Sequence, residues 1–413
     1  MVENIVNFID TDFGKRPIEW SPIAISHIVT DFRGGAPLAP SDFTKMGFLV
    51  LPKGGIIRGG NLFVDKEKQQ YCSFQYAERY KNNTVEKSFT IVVLRDLVPS
   101  GPNIGLMVRI NNNESYLLAQ GVYGFRVNDE LVSPDYLIHI SNTNEYRKIM
   151  RNIMVGSTQV HITNGAFLKQ EIPLPPTLQE QTAIATALND ADALIAHLEK
   201  LIAKKKAMKQ GTINELLRPK EGWILKTIED CAYIVGGGTP SSFNSKFWNG
   251  NINWFTPTEV GNAKYLTGSI RKITEEGYTN CSAKILPVGT ILLTSRAGIG
   301  DLGILKIEAC TNQGFQSLIA KESSDGEFLY YLVGTMKNKL LQNASGSTFL
   351  EISPSKLKAI EVKIPDKKEQ IRIAQILSEM DIEIVTMEKK LKKQKQLKQG
   401  MMQSLLTGKI RLV

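Results

Sequence analysis

The sequence predicts an α+β fold: two similar, mainly β domains joined by two long antiparallel coiled-coil helices with pseudo-two-fold symmetry. Three observations carry that expectation. They are a long internal repeat, a 4-3 spaced apolar seam in each copy of it, and short buried-strand runs punctuated by glycine in the stretches between. A chain of 413 residues has room for two or three domains, and 42% hydrophobic residues can fill a core in each, which excludes disorder as the main state.

Glu180 to Lys220 aligns without a gap on Glu369 to Lys409 at an offset of 189, with 17 of 41 pairs identical. Identities include Glu180-Gln181 with Glu369-Gln370, Asp192 with Asp381, Lys209-Gln210-Gly211 with Lys398-Gln399-Gly400, and Leu216-Leu217 with Leu405-Leu406. Upstream, Gly156-Ser157-Thr158 matches Gly346-Ser347-Thr348, and Trp20, Ile25 and Gly34-Gly35 match Trp223, Ile228 and Gly237-Gly238. The order is therefore a first domain over 1–175, a helix over 176–218, a second domain over 219–365 and a helix over 366–413. Matched helices with diverged domains suggest a shared frame facing two different targets.

In the first helix Ile184, Leu188, Ala191, Ile195, Leu198 and Ile202 form the a/d seam of a coiled coil; Ile373, Leu377, Met380, Ile384, Met387 and Leu391 repeat it. One such stripe alone would be a core stripe. Two in register, each closing a domain, predict helices that pair, and the repeat makes them antiparallel. About 30 helical residues at about 1.5 Å each form a ruler of about 45 Å, against about 34–36 Å for one turn of B-DNA. Lysines from Lys204 to Lys209 and from Lys389 to Lys398 suit the negative end of each helix, and Gly211 and Gly400 are expected to break or bend it before the Leu-Leu pair.

In the domains, Ile91 to Leu94 and Thr290 to Thr294 read as buried strands, with short helices near Asp135 to Met150 and Gly326 to Leu341. The glycine loops at Arg33-Gly34-Gly35 and Gly236-Gly237-Gly238-Thr239 either bring backbone close to phosphates or make tight turns.

No catalytic constellation is present. The nearest string to an adenine methyltransferase loop, Leu174-Pro175-Pro176-Thr177, lacks both flanking residues, and there is no phosphate-binding Gly-Lys-Ser/Thr loop and no His-Glu-x-x-His. Cys72, Cys231, Cys281 and Cys310 form no Cys-x-x-Cys pair, and His27, His139, His161 and His197 lack ligand spacing; structural roles are expected for all eight, with no metal. No uncharged apolar run approaches the roughly 20 residues needed to span a bilayer, so a cytoplasmic chain with no membrane partner is expected.

These features resemble the specificity subunit of Type I restriction-modification systems, and the resemblance covers essentially the whole chain. It rests on Ile172-Pro173-Leu174-Pro175-Pro176 before Glu180-Gln181, the echo at Ile364-Pro365 and Glu369-Gln370, the Lys-Gln-Gly then Leu-Leu ends, and Leu406-Thr407-Gly408-Lys409-Ile410-Arg411. In the second domain Trp223, Gly238-Thr239-Pro240, Ser295-Arg296 and Asn312-Gln313-Gly314 fall in family order. The first departs from it, with Leu94-Arg95-Asp96 standing where the second has Thr294-Ser295-Arg296.

The resemblance implies a non-catalytic subunit that reads a split sequence in double-stranded DNA and docks two modification (methyltransferase) subunits, with two restriction subunits as further partners. S-adenosylmethionine, ATP and magnesium would belong to those partners and no cofactor to this chain. A specificity subunit of a solitary adenine methyltransferase without restriction, and a protein scaffold that binds no DNA, are the alternatives. Base-edge contacts favour Arg and Gln on loops. The candidate DNA-binding residues are Arg33, Gly34, Gly35, Arg58, Asn61, Arg95, Gln120 and Ser157 in the first domain. In the second they are Gly237, Gly238, Thr239, Ser242, Lys246, Ser295, Arg296, Asn312, Gln313, Ser347 and Thr348. The two helical segments supply +7 of the net charge of +9, so the surplus marks the helices rather than the reading surfaces.

Overall fold

The computed structural model describes residues 7–51, 53–296, 298–346 and 350–412; the predicted contact residues Ser347 and Thr348 lie outside them. The chain divides into two compact units, residues 1–200 with 389–413, and residues 201–388. The division falls within both long helices, so each unit contains the first half of one and the second half of the other.

In the first unit β1 (Val29–Arg33), β2 (Phe48–Leu51), β3 (Thr90–Val93), β4 (Met107–Arg109), β5 (Tyr116–Leu118) and β6 (Val122–Val127) build two sheets. One is antiparallel, in the order β4-β3-β6-β1; in the other β2 and β5 run parallel side by side. The second unit repeats the plan with β7 (Ala232–Gly236), β8 (Trp248–Phe255), β9 (Ile291–Leu293), β10 (Leu302–Leu305), β11 (Ala309–Thr311) and β12 (Gln316–Ala320). Its antiparallel run is β10-β9-β12-β7, and β8 lies parallel to β11. The apolar runs at β3 and β9 are buried throughout, as strands covered on both faces must be.

Four helices complete the frame: α1 (Pro134–Ser141), α2 (Leu178–Leu216), α3 (Gly326–Gly334) and α4 (Lys367–Leu405). Each expected short helix is in fact two. Asn144–Asn152 follows α1 and Lys337–Asn343 follows α3. After α1, Thr143 ends one helix and starts the next: its hydroxyl donates to the Ile140 carbonyl at 2.7 Å and accepts from the Tyr146 amide at 3.3 Å.

The glycines do not break the long helices. Both α2 and α4 run on for 39 residues, through Gly211 and Gly400 respectively. A helical glycine costs about 1 kcal/mol, too little to stop a helix whose later turn is buried. Leu405 and Leu406 sit in the core of the first unit and Leu217 in that of the second. As a result the lysine clusters are not at the helix ends, and neither last turn carries a basic residue. They instead meet acids on the antiparallel neighbour. In the first unit Lys398 bonds Asp192, and Lys395 lies 2.7 Å from Glu199. In the second unit Lys209 bonds Asp381, and Lys206 lies 2.7 Å from Glu388. These are the same two pairs at the repeat offset.

The apolar seams divide their work. Ile184 and Leu188 enter the β-domain core of the first unit, and Ile373 and Leu377 that of the second. Further along, Leu198, Ile202 and Ile384 are buried, while Ile195, Met387 and Leu391 are half-buried. The stripe thus begins as core packing and continues along the paired stretch.

The identical glutamines of the repeat acquire a reason. Gln181 accepts from the Ser133 amide at 2.9 Å and donates to the Leu131 and Pro175 carbonyls at 3.2 Å. Gln370 accepts from the Asp325 amide at 2.9 Å and donates to Pro365 at 2.9 Å. Ser133 and Asp325 are the N-caps of α1 and α3, so one glutamine in each unit ties the start of the long helix to the start of the short one. Trp20 packs edge-on against Tyr136 of α1, and Trp223 against Phe328 of α3.

Candidate nucleic-acid interface

The hydrogen-bond ladders fix which residues of the two units correspond, and they correct the sequence alignment at two places. In the first unit Val29 faces Val127 but Asp31 faces Arg126, so Thr30 is an extra residue in a bulge. The corresponding ladder between β7 and β12 has no such shift. Gly35, rather than Gly34, therefore takes the place of Gly237. The contacts agree: the Ala36 amide donates to Leu118 and the Gly238 amide to Thr311, both at 2.8 Å. A Cβ on either Gly35 or Gly237 would stand 1.9 Å from a backbone carbonyl, of Ala119 or Asn312 respectively. Glycine is required there because two backbones touch; of the two readings of these loops, the tight crossing is what the chain itself demands.

The sequence alignment is also one residue out at the arginines. Leu94 donates its amide to Gly121 at 3.1 Å and accepts from Ile162 at 2.8 Å; Ser295 does the same with Gly314 at 2.8 Å and Ile352 at 3.0 Å. Leu94 thus corresponds to Ser295, and Arg95 to Arg296. Arg95 pairs across the ladder with His161 and Arg296 bridges to Glu351. The apparent departure of the first domain was a one-residue misalignment, and both units place an arginine at the same point after the same strand.

Around Arg296 the structure brings three of the expected positions together. The Arg296 guanidinium donates to the Gln313 carbonyl at 2.9 Å, and the Thr239 hydroxyl donates to the Gln313 side chain at 2.6 Å. Glu351 lies 3.8 Å from Arg296. Asn312 turns inward, accepting from the Gly314 amide at 2.9 Å. Ser242 and Lys246 are exposed on the loop beyond Thr239. Ser295 is fully buried, with no hydrogen-bond partner for its hydroxyl among the described residues, so it packs beneath this surface rather than on it.

In the first unit Arg95 donates to Gln159 at 2.9 Å, and its Cβ packs against Gly121, next to the exposed Gln120. Ser157 is exposed on the same connection as Gln159. Arg33 is engaged elsewhere: it pairs with Asp31 at 2.9 Å, donates to the Thr84 carbonyl at 2.7 Å and lies over Phe89. The Gly34 carbonyl accepts from Asn83. Arg58 and Asn61 line a separate groove of about 580 Å³ with Arg109, Asp135, His139 and Asn189.

Sequence reasoning passed over Arg271, whose guanidinium stacks 3.7 Å from the Trp248 ring, with Trp254 edge-on to Trp248 at 5.1 Å. Only the two tryptophans, spaced so as to face alike on β8, hinted at it. It also passed over the network where α3 meets α4. Lys264 donates to Glu327, Tyr331 and Ser378 at 2.7–2.8 Å, and Tyr331 donates to Asp381 at 2.5 Å. Burial pulls the Lys264 amine down. Burial pushes the Glu327 carboxyl up, but hydrogen bonds from Lys264, Ser378 and Tyr265 outweigh it and hold the carboxyl below its ordinary value. At the matching place in the first unit His139 bonds Asn189 at 2.8 Å, and burial lowers its pKa. His139 is buried, whereas His27, His161 and His197 are exposed. Cys72, Cys231 and Cys310 are buried, Cys281 is half-buried, and all four are free thiols. Burial pushes the Cys310 thiol up to about 12. Among the described residues no helix is long and apolar enough to cross a membrane.

Comparison with known proteins agrees with this duplicated plan. A type I restriction enzyme specificity subunit (MjaIX) of Methanocaldococcus jannaschii is 43% identical over 167 residues, 40% of this chain and 38% of that one. A second relative from that organism, named provisionally as the MjaX specificity subunit, is 27% identical over 98% of this chain and 97% of its own. The crystal structure of the type I restriction-modification S subunit from M. genitalium shares the fold, with a TM-score of 0.60 at 14% identity over 98% of this chain and 97% of that one. The family described as Type I restriction modification DNA specificity domain matches residues 42–206 and again 220–399, and the chain belongs to that family as a non-catalytic specificity subunit.

Proposed function

We propose that this chain reads a bipartite target in double-stranded DNA, one half-site per unit, on behalf of a type I restriction-modification complex. The observation that carries the reading is the pair Arg95 and Arg296. Two units with the same frame place an arginine at the same ladder position, amid loops that otherwise differ, as two readers of different sequences would. Arg is the side chain best suited to a bidentate contact with a guanine edge. Phosphate contacts would supply affinity and register, and the loops around Thr239, Gln313 and Arg296, and around Arg95, Gln120 and Ser157, would supply sequence.

The paired helices would set the unread spacer between the half-sites and offer the docking surface for two modification subunits, with two restriction subunits in the cutting form. S-adenosylmethionine, ATP and magnesium would be held by those partners, and the complex would work in the cytoplasm. The test is to co-express the chain with its modification subunit and sequence the methylated adenines. A split motif with fixed spacing is expected; adenine methylation without one would overturn the reading. In the same assay Arg296→Ala is expected to relax one half-site and spare the other, and four residues added within 185–198 and at the matching place in α4 should lengthen the spacer.

A further inference from the structure

The loop between Thr239 and β8 carries one side chain with no packing role. Phe243 is fully exposed, at 101% of its reference area. Its neighbours Ser241, Ser242, Ser245 and Lys246 are also exposed, and all are polar. The loop is nevertheless held in place. The Trp248 indole donates to the Ser241 carbonyl at 3.1 Å, and the Asn244 side chain accepts from the Lys246 amide at 3.1 Å. Trp248 is itself fixed by the stacked Arg271. At its other end the loop is continuous with Thr239, which bonds Gln313, the residue on which Arg296 is anchored.

A protein hot spot sits at the centre of a well-packed patch whose surrounding contacts exclude water, and an isolated aromatic ring among serines and a lysine has no such surround. It suits a base step, whose faces are apolar and whose surroundings are hydrogen-bonding groups and phosphates. The first unit offers a parallel: between Gly35 and β2, the strand parallel to β5 as β8 is to β11, Met46 is 84% exposed beside Lys45.

We propose that Phe243 is a wedge that inserts between neighbouring base pairs of the half-site read by the second unit, making recognition there depend on how easily that step unstacks. The proposal rests on the DNA-reading function above. Its test uses the full chain assembled with its modification subunit, on a duplex bearing the methylated motif, with 2-aminopurine placed at successive positions of each half-site. Wild-type complex is expected to raise the fluorescence at one step in the second unit's half-site. Phe243→Ala should abolish that rise and weaken binding about tenfold. Phe243→Trp should keep the rise, as should Ile270→Ala, which trims another highly exposed apolar side chain of the same unit. A rise that persists in Phe243→Ala, or a wild-type complex that binds the motif specifically without any rise, overturns the wedge and leaves the DNA-reading function standing. A wild-type complex that does not prefer the motif over a scrambled duplex overturns both.

Discussion

The two units differ at a position where they ought to be most alike, the first turn of the long helix. Glu180 and Glu369 are identical in the repeat. Glu180 is wholly buried and gripped by Arg411, whose two nitrogens reach its oxygens at 2.5 and 2.8 Å while a third reaches Glu19 at 2.8 Å. Glu369 is half-exposed and pairs with Arg372, three residues on, at 2.6 Å. The bonds to Glu180 and Glu19 raise the Arg411 pKa above its ordinary value. The next residue behaves oppositely: Gln181 and Gln370 make the same bonds in both units. Identity in a repeat therefore marks two things, a contact kept in both copies and a residue whose partner has changed.

The largest effect that would sharpen this comparison comes from Arg411→Ala. It leaves a buried carboxylate unpaired, a loss of about 3–5 kcal/mol. Hydrogen exchange read by mass spectrometry should rise across residues 130–190 and stay unchanged in the second unit. Arg372→Ala, which cuts the matching pair at the surface, should change exchange nowhere, because exposed ion pairs contribute little. Equal responses would erase the distinction. Next in size, Gln181→Ala and Gln370→Ala each strand an N-cap amide and are expected to cost about 1–3 kcal/mol apiece. Here the responses should be equal, each confined to its own unit. Arg95→Ala follows, with the half-site converse to that of Arg296→Ala relaxed in the methylation readout and folding untouched.

How far this could be read in the sequence follows from the same contrast. The long helices, the repeat offset and the buried strands were legible because periodicity and identity survive without knowledge of partners. The correspondence of Arg95 with Arg296 was not. Loops of unequal length put the alignment out by one there, as the bulged Thr30 does at Gly35, and only the hydrogen-bond ladder shows that Leu94 and Ser295 make the same bonds. Gly211 and Gly400 misled for a related reason: their cost is local, while the burial of Leu217, Leu405 and Leu406 that outweighs it is tertiary. Of the candidate readers, Thr239, Gln313 and Arg296 gather at one surface, whereas Arg33 is spent on Asp31 and Thr84 and Ser295 is buried. Residue type alone cannot tell an arginine that faces a ligand from one that closes its own sheet.

The smallest expected effect separates the units by acidity. His139 on α1 and Tyr331 on α3 occupy matching places against the long helix. His139 faces Asn189, Asp135, Asp192 and Lys398; burial lowers its pKa below the ordinary 6.5, the Asn189 bond and the two aspartates oppose that shift, and Lys398 reinforces it. The unfolded chain therefore takes up this proton at a higher pH than the native one. Stability from this group is fully present above 6.5 and is lost as pH falls toward the depressed native value, at no more than about 1.4 kcal/mol per pH unit for one proton. Tyr331 does not titrate in that range, and the depressed Glu327 beside it loses its contribution only as pH falls below the ordinary carboxyl value. Between neutral pH and about 5.5, hydrogen exchange corrected for its intrinsic pH dependence should therefore loosen α1 and the facing turns of α2, and leave α3 protected. His139→Gln, which keeps a donor for Asn189 and removes the titration, should make the two units respond alike. If α3 loosened with α1, or if His139→Gln left the acid response intact, the asymmetry would have to come from a group other than this histidine.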